Sequence, residues 1–270
     1  MIGPNKIATP LLALALAVSL SAAAGATPAS SGNRSAEPQR KAKASDEKDP
    51  QYQYEKGVIA LRYGLTDEAV RYGKLAVSLD PGNFNGWNLL GSAYYTKGEF
   101  ALAAEAYEKA VVIRPEAAEV QRDLGLTYAE LKDVGKAEAA LKRAYGINGG
   151  YESAYHLSKL YYNAGRFEEA LDYVLKSIQK NGKNAGAYNL KGVVLNELKR
   201  YAEAAGSFQA GLVLAPDDIG LQINLGIALL NSGEPSKARA VFEAVLPKIE
   251  QDVLRKRVED YIKALRDAGK

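Results

Sequence analysis

Gly86-Trp87-Asn88-Leu89-Leu90-Gly91-Ser92-Ala93-Tyr94, followed by Gly98-Glu99-Phe100 and then by Ala103, Tyr107, Ala110 and Pro115, is the stretch that decides the architecture. Trp87, Leu90 and Tyr94 stand three and four residues apart, the spacing of one helical face. Gly98 interrupts that helix. Leu102, Ala103, Ala106, Tyr107 and Ala110 mark a second amphipathic helix, which Pro115 stops. The stretch is predicted as two helices joined by a tight turn.

The pattern recurs from Pro50 onward. A small residue on the first helix falls at Gly57, Gly91, Gly125, Ser158, Gly192 and Gly226. An alanine on the second helix falls at Ala69, Ala103, Ala137, Ala170, Ala204 and Ala238, with spacings of 34, 34, 33, 34 and 34 residues. Glycine inside a helix costs about 1 kcal/mol relative to alanine. Its return at five of the six first helices implies close packing, and a crossing of glycine against alanine is the expected contact. Large residues flank that crossing: Leu90, Tyr94 and Tyr107; Leu124, Tyr128 and Leu141; Leu157, Tyr161 and Val174; Leu195 and Phe208; Leu225, Leu229 and Phe242. The first unit departs from the pattern, with Lys56 in place of leucine and Gly73 in place of a large residue. The one-residue deletion falls in Gly146-Ile147-Asn148-Gly149-Gly150, read as a glycine-rich loop.

The spacing Trp-x2-Leu-Gly-x2-Tyr, then alanine, aromatic, alanine and proline, resembles the tetratricopeptide repeat family. That resemblance implies an all-α fold, an α-solenoid superhelix of six helix-turn-helix units at 50–83, 84–117, 118–150, 151–184, 185–218 and 219–248. Asp80-Pro81-Gly82-Asn83, Arg114-Pro115-Glu116 and Ala215-Pro216-Asp217 punctuate the units, and Gly98, Gly165 and Gly233 mark turns within them. Pro235 suits a first helical turn. Pro247 is expected to start a further helix, and the segment 249–270 to cap the array as a C-terminal helix. Its apolar stripe is Ile249, Val253, Leu254, Val258, Tyr261, Ile262 and Leu265, with Glu250, Arg255, Lys256, Glu259 and Lys263 facing away. The alternative is a partner-binding helix.

The N-terminus reads differently. Lys6, the apolar run Leu11 to Leu20 and the small-residue site Ala24-Gly25-Ala26 form a cleavable export signal over 1–26, giving a mature chain from Thr27. An uncleaved membrane anchor is the alternative, since Ile7 to Ala26 has about the length of a bilayer span. Residues 27–49 contain no aromatic residue and no Leu, Ile or Val, and are expected to be a disordered linker. Export to a bacterial periplasm follows, without stable membrane insertion after cleavage.

Composition narrows the chemistry. The 270 residues carry a net charge of +3 with both signs interspersed, and no basic block marks a nucleic-acid interface. With no cysteine, the chain has no disulfide, thiolate metal site or cysteine nucleophile. His156 is the single histidine, read as a surface or groove residue. No GxSxG elbow, GxxxxGK[ST] loop or HExxH helix occurs. Acidic pairs at Glu168-Glu169 and Asp217-Asp218 complement helix starts. The chain is read as a non-enzyme with no catalytic residue, cofactor or metal.

A binding surface remains. The family resemblance implies that the first helix of each unit lines a concave groove, here Tyr54, Asn88, Ser92, Tyr95, Arg122, Tyr155, Lys159, Tyr162, Asn189 and Asn196. Aromatic area with amide and hydroxyl groups suits an extended peptide or a partner's helix. Tyrosines at these spacings also pack between units, and Tyr95 and Tyr162 stand open to either role, whereas Tyr94, Tyr128 and Tyr161 belong to the core. The positions that form a basic carboxylate clamp in one subclass are Tyr54, Val58, Leu89, Glu119 and Asp123 here, or Asn88, Ser92, Asp123, Glu152 and His156, and neither set forms it. The expected function is an exported scaffold in envelope assembly that binds a protein or peptide. A type IV pilus secretin assembly factor, similar to pilotins except for their lipidated cysteine, and a periplasmic holding chaperone, as in cytochrome maturation, are alternatives.

Overall fold

The computed structural model describes residues 46–268. The export signal and most of the linker read from the sequence lie outside them. The described residues form α-helices and two short 3-10 turns. They divide into two compact bodies, one ending at Leu160 and the other beginning at Tyr161.

The first body carries α1 (Pro50–Arg62), α2 (Thr66–Leu79), α3 (Phe84–Thr96), α4 (Phe100–Ile113), α5 (Ala118–Glu130), α6 (Val134–Asn148) and most of α7 (Tyr151–Asn163). Helices α1 and α2, α3 and α4, and α5 and α6 pack as hairpins, and α2 against α3 and α4 against α5 join them in sequence. The second body carries α8 (Phe167–Lys180), α9 (Ala185–Glu197), α10 (Tyr201–Leu214), α11 (Ile219–Asn231), α12 (Pro235–Val245) and α13 (Asp252–Ala268). Each of these also packs on its neighbour in sequence. The fold class is the expected all-α solenoid of repeated hairpins.

Local chemistry sets the helix ends. Asp49, Asn83, Asp133, Asn184 and Asp218 are N-caps whose side chains accept backbone N–H bonds at 2.8–3.2 Å. Such caps contribute about 1 kcal/mol each. Pro235 occupies the first turn of α12 as expected. Every hairpin turn contains one residue of left-handed backbone: Gly64, Gly98, Lys132, Gly165, Lys199 and Gly233. The sequence marks three of these; Lys132 and Lys199 hold the same conformation at φ 62° and 59° without glycine's freedom.

The six alanines of the second helices are all fully buried. Glycine against alanine is nevertheless not the closest approach. A Cβ on Gly91 would lie 2.5 Å from the Tyr107 ring, one on Gly192 2.5 Å from Phe208, and one on Gly226 2.5 Å from Phe242. The glycines clear space for the large residue one turn beyond the alanine. The first unit inverts this arrangement. Gly57 and Gly73 make room for Leu89 and Leu90 of the following hairpin, whose side chains would stand 2.3 and 2.8 Å from added Cβ atoms. Gly73 is thus a socket rather than a defect.

Three further expectations are corrected. Gly146, Ile147 and Asn148 are helical, and Gly149 closes α6 in the left-handed region at φ 60°. Pro247 lies in a 3-10 turn, Leu246–Lys248, and the last helix begins at Asp252. Val253 is 77% exposed and leaves the apolar stripe, while Ile249, Leu254, Val258, Tyr261 and Ile262 are buried. The Tyr261 ring stacks on Phe242 at 5.0 Å, covering the last hairpin as a cap does, and burial pushes its hydroxyl up to about 12.

Candidate functional site

In the first body the expected groove residues lie on α1, α3, α5 and α7. They are Tyr54, Asn88, Ser92, Tyr95, Arg122, Tyr155 and Lys159, all half-buried. Positions one period apart bring their helices' equivalent faces into line. Tyr94 and Tyr128 are buried as core, which leaves Tyr95, one residue on, at the surface. Its ring meets Phe100 edge-on at 5.3 Å. Ser92 is tied to the core, since its hydroxyl and that of buried Tyr107 hydrogen-bond at 3.1 Å. Asn88 keeps a buried Oδ1 with no hydrogen-bond partner.

Arg122 organises the charges. Its Nε donates to Asp123 at 3.1 Å, and its Nη1 pairs with Glu152 of the next unit. Burial raises the Asp123 carboxyl above its ordinary value, Arg122 opposes that rise, and Glu152 and Glu119 add to it. Burial likewise raises Tyr95, with Glu130 and Asp123 reinforcing it. On α7 the Tyr155 and His156 rings meet at 5.6 Å, and the Lys159 ammonium lies 5.9 Å from the Tyr155 ring centre. Burial, then Lys159 and Arg122, lowers His156 to about 4, so its imidazole is neutral at pH 7.

The second body holds the other three expected residues. Tyr162 is buried, packs on Phe167 at 5.8 Å and hydrogen-bonds Glu197. Asn196 is buried with an unpartnered Oδ1. Asn189 accepts from Asn224 at 2.9 Å.

Sequence reasoning left Asp123 and Asn224 out of the groove set and gave Glu152 and His156 no binding role in it. The signals were present: Asp123 adjoins Arg122, Glu152 and His156 flank Tyr155 on one helix, and Asn224 follows Asn189 by one period and one residue. No described helix is long and apolar enough to cross a membrane.

Successive hairpins presenting mixed aromatic, amide and charged side chains from their first helices define a helical-repeat scaffold for protein–protein interaction. Tetratricopeptide repeat models match residues 87–152, 155–219 and 195–256, more than half of the chain. The chain belongs to the tetratricopeptide repeat family. Among curated relatives, protein FlbA of Caulobacter vibrioides is 31% identical over 168 residues, 59% of this chain and 27% of that protein. The chain spans between 9% and 53% of the length of the curated relatives it matches. Among solved structures, PilF of Pseudomonas aeruginosa matches with a TM-score of 0.67 at 16% identity, covering 80% of this chain and 99% of that one. YrrB, described as a tetratricopeptide repeat protein with an unusual peptide-binding site, matches at 0.60 and 16% identity, covering 70% and 97%. Both likenesses speak to the fold.

Proposed function

We propose that this chain is an exported, non-catalytic scaffold of the bacterial cell envelope that holds a peptide or a partner's helix on its first-helix face. The observation that carries the reading is the half-buried set Tyr95, Arg122, Tyr155 and Lys159 on α3, α5 and α7. Aromatic and arginine anchors of this kind concentrate binding energy. The peptide-binding site described for YrrB supports the peptide reading, and the signal-like 1–26 stretch supports export. Arg122 is already paired with Asp123 and Glu152, so contact is mainly apolar and hydrogen-bonded, with a shallow salt dependence.

The double variant Tyr95→Ala/Tyr155→Ala tests the face. Tyr162 is unsuitable, because its burial against Phe167 makes it a folding residue. Capture of partners from periplasmic extract should weaken at least about tenfold, or about 1.4 kcal/mol, with an unchanged melting curve. Full capture by the folded variant would move the site elsewhere, with α13 next. Intact mass of the exported protein should correspond to a start near Thr27. A membrane-bound species retaining Lys6 would replace export by anchoring.

A further inference from the structure

The charged groups on the first-helix face are unequally engaged. The Arg122 guanidinium holds Asp123 and Glu152, and the second Glu152 oxygen accepts from the Tyr151 hydroxyl at 3.3 Å. Lys159 is different. Among the described residues no carboxylate lies within ion-pair distance of it, and its ammonium has only the Tyr155 ring at 5.9 Å. A half-buried lysine rests its stem on apolar surface and leaves the ammonium free to meet a charge from outside. His156 stands beside it on the same helix, 5.6 Å from that ring. Lys159 and Arg122 both disfavour a further positive charge on the imidazole. The neutral ring offers one N–H donor and the ammonium three. This end of the face therefore presents hydrogen-bond donors and a positive field beside an aromatic wall, without a carboxylate to pair the ammonium.

We propose that Lys159 and His156 anchor a side-chain carboxylate, from Asp or Glu, of the bound partner segment, with the Tyr155 ring as its apolar wall. The inference rests on the reading of this face as a docking surface and adds the chemistry of what docks. The basic carboxylate clamp of one repeat subclass is absent here, so a chain terminus is not the group recognised; the acid comes from within the segment. A single ion pair keeps the expected salt dependence shallow, because only one charge contact is open to screening.

The test uses fluorescence anisotropy with the full chain and three C-terminally amidated peptides of one Leu/Ala framework, carrying Glu, Gln or Lys at the same positions. Wild type should bind the Glu peptide at least about tenfold more tightly than the other two. Lys159→Gln should abolish that preference, Lys159→Glu should invert it in favour of the Lys peptide, and His156→Gln should weaken the Glu peptide a few-fold. Circular dichroism establishes that each variant is folded, and the milder Lys159→Gln decides if Lys159→Glu is not. A wild type that prefers the Lys peptide, binds all three alike or binds none overturns the inference, as does a preference that survives Lys159→Gln. The broader reading fails separately, when peptide binding of any charge type is unaffected by Tyr95→Ala/Tyr155→Ala.

Discussion

The same substitution, glycine to alanine in the middle of a helix, should have opposite signs at Gly192 and Gly206. Both lie in helices of the second body, α9 and α10. Alanine is intrinsically the better helix former at each by about 1 kcal/mol. At Gly206 an added Cβ meets nothing within 4 Å, so Gly206→Ala should stabilise by about 0.5–1 kcal/mol. At Gly192 the added Cβ would stand 2.5, 2.6 and 2.8 Å from three atoms of the Phe208 ring. An ordinary carbon contact is about 3.5–4.0 Å, so the ring would have to retreat by about 1 Å. Phe208 is fully buried and has no space to do so. Overpacking of this kind costs about 1–3 kcal/mol. Set against the helix-propensity gain, Gly192→Ala should destabilise by about 0.5–2 kcal/mol. Urea titration followed by circular dichroism reads both variants. Repeat arrays depart from two-state unfolding, so amide exchange in α9 and α10 should report the same signs locally. Stabilisation by both, or destabilisation by both, would refute the account of why glycine recurs in the first helices.

Lys132→Gly and Lys199→Gly should each raise stability by about 0.5–1 kcal/mol. A left-handed residue other than glycine costs about 1–2 kcal/mol, and glycine's extra freedom in the unfolded chain returns part of that; unchanged or lower melting temperatures would contradict the turn geometry. The depressed His156 predicts a pH effect. Above about pH 6.5 neither state is charged there; as pH falls from 6.5 toward 4 the unfolded chain takes up a proton that the native one refuses, and stability declines. Asp123, whose native value is raised, works in the opposite sense at lower pH. Chemical denaturation across pH 4–7 should therefore show a steeper decline for wild type than for His156→Gln, and coincident profiles would exclude a desolvated imidazole.

The period, the six alanines and the core tyrosines were legible in the sequence because packing between helices admits few side-chain sizes at a crossing. The turn residues were legible only where they are glycine. Lys132 and Lys199 carry no mark of a left-handed backbone. Side-chain size also misled at Gly73, since a missing large residue reads as degeneration until Leu90 is seen to fill its place. The site was half legible. Repeat register put Tyr95 and Tyr162 at equivalent positions, but Phe167 and Glu197 cover Tyr162, while Tyr95 keeps part of its surface. The pairing of Arg122 with Asp123 and Glu152 was not legible, because ion pairing depends on side-chain reach, which spacing does not encode.

Leu89 and Leu90 lodge in the openings left by Gly57 and Gly73, and this gives the start of the array a direction. The first hairpin receives both leucines of the second, and returns one contact, Val77 and Ala76 closing on Gly86. Shortening the chain to begin at Phe84 would strip cover from two leucines that are now 4% and 3% exposed. The shortened array would gain an adhesive end. Hairpin one is thus the lid of the repeats that follow it, and a minimal soluble fragment of this protein has to retain it.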